Sequence, residues 1–194
     1  MAAPASKTIG DLNGKWVMNK TLSDSPEPGL ALQGIGYLTR KAIGFATVTL
    51  EVKQYTEEGV PHVDIEQTAT GGLKGTSEKR TVDNTPREHA DWLFGKVKAR
   101  SFFIKHEDLP GRIQAELGGD EFLAGDWIVA DEEKTGPDGA LHLVNWVEAE
   151  AGWTAAQVWG FQLIGGERRY ARNIVIKKGD KKVELRLVYD FVSA

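Results

Sequence analysis

The sequence contains no cysteine. Disulfides, thiolate metal ligands and thiol nucleophiles are therefore excluded, and the composition suits a reducing compartment. No run of about 18 apolar residues occurs, which is the length that a membrane-spanning helix needs. The N-terminal residues MAAPASKTIGD lack the apolar core of a secretory signal peptide. We therefore expect a soluble, cytoplasmic protein without integral membrane association.

Excess charge of one sign is also small. The net charge is −4, and residues of both signs are mixed along the 194 residues. Proteins that bind DNA or RNA usually carry a basic patch or stripe, so we expect no nucleic-acid partner. The length and the 41% hydrophobic content allow a single domain with its own core.

Common catalytic motifs are missing as well. The sequence has no G-x-S-x-G nucleophile motif and no phosphate-binding loop of the G-K-[ST] type. The stretch LQGIGYLTRKAIGFA contains Gly34-Ile35-Gly36, but a proline-rich segment precedes it where a dinucleotide-binding loop would need a strand. The sequence thus predicts no cofactor.

Histidines give no metal-binding pattern. His62, His89, His106 and His142 form no H-x-H or H-x-x-x-H pair, so we expect no metal site. His62 shares a strand face with two carboxylates, an arrangement that fits an acid–base or weak metal site but is more typical of a solvent-facing strand. His89 is interpreted as a turn residue, and the face of His142 is left open.

Alternation of apolar and polar residues is the dominant pattern, and it predicts nine or ten strands. A short helical segment, residues 23–44, follows the first strand. The alternation fades over residues 105–139, which we interpret as a long connection or insertion, and residues 1–10 are expected to form a flexible lead. Strands in this number and order predict an all-β fold: a single antiparallel up-and-down barrel spanning residues 11–194, with a helical lid.

Three motifs in this order resemble the intracellular fatty-acid-binding proteins of the calycin group, to which the lipocalins also belong. They are Gly14-Lys15-Trp16 in the first strand, Gly34 to Lys41 in the lid, and Tyr189 in the last strand. The resemblance covers most of the chain except residues 105–139, and it implies a barrel enclosing a ligand cavity. In that family an Arg-x-Tyr pair holds the fatty-acid carboxylate. Here Leu187 stands in place of the arginine, so the usual fatty-acid anchor is not implied.

Two tight turns allow the last three strands to be paired. A turn at Gly179-Asp180 places Arg172 opposite Leu187, and a turn at Gly165-Gly166 places Trp159 opposite Arg172. One face of these strands is then larger and more aromatic than the other, so we expect it to point inward. This face contains Gln157, Trp159, Phe161, Tyr170, Arg172, Ile174, Leu185, Leu187 and Tyr189.

Arg172 is the one cation on that face. We hypothesise that it replaces the family's missing arginine from the neighbouring strand and stacks on Trp159. Two alternatives stay open. Arg172 could instead reach solvent at the barrel rim, since arginine is rarely buried without a partner, and the aromatic residues could be ordinary core.

The first functional hypothesis is an intracellular binding or carrier protein for a small hydrophobic ligand: a lipid, a fatty-acid-like molecule, or a polyketide or terpenoid metabolite. The resemblance favours this role over an enzyme. The predicted ligand-binding residues are Gln157, Trp159, Phe161, Tyr170, Arg172, Leu187, Tyr189 and, in the lid, Leu38.

The second hypothesis is a cofactor-independent enzyme on the same barrel, such as a cyclase, an isomerase or a dehydratase (a lyase). In that case Tyr170 or Tyr189 would act as a general acid, and Arg172 would stabilise developing negative charge. A third hypothesis is a protein-interaction barrel with a filled interior.

Overall fold

The computed structural model describes residues 1–193, which form one ten-stranded antiparallel sheet curled into a nearly closed barrel. The sheet order is β4-β3-β2-β1-β10-β9-β8-β7-β6-β5. The strands are β1 Gly14–Met18, β2 Val48–Glu57, β3 Val60–Ala69, β4 Thr76–Thr81, β5 Arg87–Asp91, β6 Gly95–Ile104, β7 His142–Ala149, β8 Thr154–Ile164, β9 Glu167–Lys178 and β10 Lys181–Ser193. The predicted fold is thereby confirmed.

The lid consists of two short helices, α1 Glu27–Leu32 and α2 Tyr37–Phe45. Gly34 separates them with a φ of 88°, a conformation that glycine adopts without steric cost. Arg40 joins the two helices, because its Nε donates to Glu27 Oε1 at 2.9 Å. The lid therefore lies after the first strand, as predicted, and its two helices are separated at Gly34.

One strand was not predicted. His89, interpreted as a turn residue, lies in β5 and pairs with Val97 of β6. The sequence of β5 is REHAD, in which no apolar alternation marks a strand. Pairing with β6 decides the conformation there, so the turn interpretation is wrong.

β4 and β5 are the two edges of the sheet within residues 1–193. Every other neighbouring pair of strands is joined by a backbone ladder, from β2 with β3 to β1 with β10. The barrel wall consequently has one gap, between β4 and β5.

Aromatic residues fill one end of the barrel. Trp16 has no exposed surface, and its ring lies 5.1 Å from that of Tyr170 and 5.0 Å from that of Phe191. Residues 1–10, expected to be a flexible lead, lie against this end: Ile9 is buried, and Arg168 donates to the backbone carbonyls of Pro4 and Lys7. We call this part of the barrel the closed end.

Residues 105–139, interpreted as a long connection or insertion, form an outer layer on the barrel. They contain helix α3, Leu109–Glu116, and 3₁₀ helices at Glu121–Ala124, Asp131–Glu133 and Pro137–Gly139. Buried side chains from this layer pack on the outer faces of β7, β8 and β9. The cluster includes Leu109, Ile113, Leu123, Trp127, Val144, Val158 and Ala171.

None of the helices in residues 1–193 is both long enough and apolar enough to cross a membrane.

Candidate ligand-binding and active site

Above the closed end, the barrel interior is hollow. An apolar chamber of about 190 Å³ lies under the lid, where Leu30 of α1 and Ile43 of α2 form part of its wall. A second chamber of about 230 Å³ lies beside the gap between β4 and β5 and has a more polar lining. Glu78 and Gln157 belong to the walls of both, so the apolar chamber and the polar chamber adjoin.

Arg172 lies at the floor of the apolar chamber. The predicted pairings are present, with Trp159 opposite Arg172 and Arg172 opposite Leu187. Arg172 is only 7% exposed, so its placement at the rim is wrong and its inward placement is correct. The inward position follows from strand parity, because Arg172 shares its face with Tyr170 and Ile174.

The guanidinium of Arg172 is held by aromatic neighbours. Its Cζ lies 3.8 Å from the ring centroid of Trp159, a close cation–π contact. Its Nε donates to the hydroxyl of Tyr170 at 2.8 Å. Its Nη2 is buried and has no hydrogen-bond partner among residues 1–193. A buried donor left unpaired costs about 1–3 kcal/mol, which a ligand oxygen would recover.

Two further charged residues complete this region, and the sequence reasoning missed both. Glu78 and Arg80 lie on the inner face of β4, opposite Ile65 and Val63 of β3. They hydrogen-bond to each other, and Arg80 Cζ lies 5.3 Å from the ring centroid of Trp159. A two-residue turn at Gly71-Gly72 would place Glu78 opposite Ile65 and Arg80 opposite Val63. The strand TSEKRT has no apolar alternation, so the sequence alone did not show which of its residues point inward.

The cluster of Glu78, Arg80 and Arg172 holds two cations and one anion. Burial alone would raise the pKa of the Glu78 carboxyl, but Arg80 and Arg172 hold it below its ordinary value. Glu78 is therefore ionised at neutral pH, and the cluster keeps one uncompensated positive charge. That charge favours binding of an electron-rich ligand group beside Arg172 in the apolar chamber.

Burial also raises the pKa of the hydroxyls of Tyr170 and Tyr189, an effect that Arg172 only partly offsets. Both phenols are consequently neutral at physiological pH.

The predicted ligand-binding residues fall into three groups. Gln157, Arg172, Leu187 and Tyr189 line the apolar chamber. The structure places Trp159, Phe161 and Tyr170 below that chamber, within the buried core of the closed end. Leu38 is 81% exposed on the outer side of α2, so the expectation that it faces the cavity is wrong. Ile43 of the same helix lines the chamber instead, because it lies five positions after Leu38, which places the two side chains about 140° apart around the helix axis.

The histidines lie outside the chambers, apart from His89 in the polar one. The ring of His62 stacks on Tyr55 with centroids 5.0 Å apart, on the outer face of β3. His142, whose face was left open, is fully buried on the outer face of β7 beneath Trp127. Its Nε2 lies 3.0 Å from Nδ1 of His106. Burial is the main cause that lowers the pKa of His142 to about 3, and the charge of His106 adds to it.

The fold and the site define a calycin-type barrel with a lidded internal cavity. The solved structures that it resembles share this fold. Lipid binding protein 8 of Caenorhabditis elegans has a TM-score of 0.60 at 13% identity and covers 95% of this chain and 98% of that chain. Fatty-acid-binding protein 1 of Echinococcus granulosus has a TM-score of 0.56 at 13% identity, covering 93% of this chain and 97% of that chain.

Two curated proteins are similar over almost the whole length. A probable pericyclase, scpY, of Mollisia scopiformis is 31% identical over 193 residues, which cover 98% of this chain and 95% of the relative. The pericyclase pydY of an Acremonium species is 30% identical over 194 residues, covering 99% and 97%. No family model matches the chain. The chain belongs to the same family as these two proteins.

Proposed function

We propose that this protein is a pericyclase: an enzyme that closes a ring in a conjugated, largely apolar substrate inside the barrel. Family membership supports this, since two relatives of matching length are named as pericyclases. The observation that carries the proposal is the guanidinium of Arg172. It is buried, incompletely paired, and set at the floor of a lidded apolar chamber.

A pericyclic ring closure is an isomerisation. In one concerted step π bonds become σ bonds, no atom enters or leaves, and no proton has to be transferred. Two effects can lower its barrier. An enclosing chamber holds the reacting carbons of a flexible chain in contact, which removes much of the entropic cost. A hydrogen bond to a conjugated carbonyl withdraws electron density from the adjacent double bond and makes it more reactive.

The chain has residues suited to both effects. Leu30, Ile43 and Leu187 provide apolar walls that would fold the substrate. Arg172 would donate to the substrate carbonyl through a guanidinium whose orientation Trp159 and Tyr170 fix. In this proposal the carbonyl stays unprotonated throughout.

The two tyrosines have different roles under this proposal. Tyr170 acts as a positioning residue, because its hydroxyl accepts the hydrogen bond from Arg172 Nε. Tyr189 borders the chamber and would be a second donor to the substrate oxygen. The raised pKa of both hydroxyls favours hydrogen-bond donation over the full proton transfer that a general acid would perform.

Carriage of a hydrophobic ligand is the second candidate, since a lidded apolar chamber can hold a molecule without transforming it. Leu187 makes a fatty acid a poor candidate for that ligand, because it occupies the position of the carboxylate-binding arginine of the fatty-acid-binding proteins.

The test uses linear polyenes that bear a diene and an alkene conjugated to a carbonyl. The wild-type protein should accelerate ring closure, seen as loss of polyene absorbance, and should yield one stereoisomer by chiral chromatography. Arg172→Ala should lower the rate about 100-fold, as the loss of one electrostatic donor typically does. Arg186→Ala is the matched control, because Arg186 lies on the outer face of the adjacent strand β10.

Acceleration that survives Arg172→Ala unchanged would contradict the role of Arg172. If the wild-type protein binds these polyenes and releases them unreacted, the protein is a carrier.

A further inference from the structure

Three residues that line the polar chamber each have a buried polar atom with no hydrogen-bond partner among residues 1–193. These atoms are Arg80 Nε on β4, Asn145 Oδ1 on β7 and Trp153 Nε1 just before β8. Asn145 is fully buried and Trp153 is 3% exposed. Each such atom costs about 1–3 kcal/mol when left unpaired, so three around one chamber mark a place where the polar group of a ligand would be stabilised.

The orientation of the Asn145 amide is fixed by its other contacts. Its Nδ2 donates to the backbone carbonyl of Arg100 at 3.2 Å and to Ser101 Oγ at 3.1 Å. A carbonyl oxygen can only accept a hydrogen bond, so rotating the amide would place two acceptors against each other. Oδ1 is thus the free atom, and it requires a donor.

The other two free atoms are donors. The indole of Trp153 packs edge-on against Phe94, with ring centroids 5.8 Å apart, so the direction of its N–H is constrained. Arg80 gives Nη2 to Glu78 and keeps Nε unpaired. The wall of the polar chamber therefore has two unpaired donors and one unpaired acceptor, which come from both sides of the gap.

We propose that the polar chamber binds the head group of the ligand, and that this head group carries a hydrogen-bond donor together with carbonyl acceptors, as an amide does. Its N–H would bond Asn145 Oδ1, and its carbonyl oxygens would accept from Trp153 Nε1 and Arg80 Nε. The apolar remainder extends into the adjoining chamber under the lid. This inference rests on the proposed function only in naming the polar end of its substrate.

An ionised carboxylate is a poor fit to the same site. It has acceptors alone, so it cannot donate the hydrogen bond that Asn145 Oδ1 requires. A simple ester also lacks the donor that Asn145 requires. The site consequently discriminates among head groups attached to the same tail.

Calorimetric titration of octanamide, methyl octanoate and octanoate tests this with one tail and three head groups. Octanamide should bind about tenfold more tightly than either of the others, the effect of one satisfied hydrogen bond. Trp153→Phe removes the N–H and keeps a ring, so octanamide affinity should fall about tenfold. Trp146→Phe is the control, because the Trp146 N–H bonds Glu148 away from the chamber.

Equal binding of octanamide and methyl octanoate overturns the inference, as does a Trp153→Phe protein that is folded by circular dichroism and binds octanamide like wild type. Absence of octanamide binding also overturns it. The two proposals fail separately. Amide preference without polyene cyclisation would remove the proposed function and keep the head-group site, whereas cyclisation without amide preference would do the reverse.

Discussion

The two ends of the barrel are built from the same strands yet differ in filling. At the closed end, inward positions carry large aromatic rings, and Tyr170 contacts Trp16, Phe161 and Tyr189. Four to six residues further along, the inward positions of β8 and β9 carry Ala155 and Ile174, and two chambers open. A decrease in side-chain size along β8 and β9 therefore contributes to the cavity.

Because of this difference, we expect the closed end to contribute mainly to stability and the two chambers mainly to ligand binding. A filled aromatic layer buries apolar area without voids, whereas residues around a chamber lack neighbours on one side. Arg172 lies at the boundary, stacked on Trp159 below and facing the chamber above. We expect substitutions at the closed end to affect mainly folding and substitutions around the chambers to affect mainly ligands.

Trp16→Ala should have the largest effect on stability. Trp16 is fully buried among aromatic rings, and its Nε1 donates to the carbonyl of Leu12 at 2.9 Å. Truncating such a side chain costs about 3–5 kcal/mol, because the cavity left behind collapses only in part. Chemical denaturation monitored by circular dichroism measures the change. A loss below about 1.5 kcal/mol would show that the closed end does not dominate stability.

His142, which is buried on the outer face of β7, should make the free energy of unfolding depend on pH. It lies against Trp127 and close to Gly160 of β8, and its pKa is lowered from 6.5 to about 3. Above pH 6.5 the histidine is neutral in both states, and its contribution to stability is complete. Below that pH the unfolded chain gains a proton that the folded protein does not, so stability decreases as pH falls.

The expected loss is about 2 kcal/mol between about pH 7.5 and pH 5. Denaturation curves of the wild-type protein and of His142→Asn, recorded at both pH values, isolate this contribution from those of other titrating groups. Parallel losses in the two proteins would mean that His142 is not the source.

Leu187→Ala should have the smallest effect on folding. Leu187 lines the apolar chamber and is only partly buried, so its removal enlarges an existing space. We expect a loss of about 1 kcal/mol or less in unfolding free energy, together with a change in ligand affinity. The denaturation assay used for Trp16→Ala gives the direct contrast, and an equal loss at both sites would remove the distinction between the ends.

Much of the barrel could be predicted because local signals agree with the tertiary structure. The turns at Gly165-Gly166 and Gly179-Asp180 fixed strand parity, and parity alone placed Arg172 and Trp159 opposite each other on the inner face. The position of each inward residue along the barrel axis could not be predicted in this way. The sequence does not show where the aromatic filling stops, so Trp159 and Tyr170 were expected to touch the ligand but lie beneath the chamber.

The remaining errors come from segments whose sequence carries no periodicity or a misleading one. Glu78 and Arg80 belong to a strand without apolar residues, and only its pairing with β3 gives it an inner face. Leu38 was assigned by continuing one helical phase through Gly34, where the chain in fact turns.

The gap in the barrel wall has a consequence for solubility. An unpaired sheet edge can recruit the edge of another molecule and begin aggregation. The two edge strands, TSEKRT and REHAD, expose Lys79, Arg87 and Glu88. Two molecules could join their edges here only by bringing these charges together and removing them from water. The polar composition that hid β5 from pattern reading therefore also opposes edge-to-edge association at the open seam.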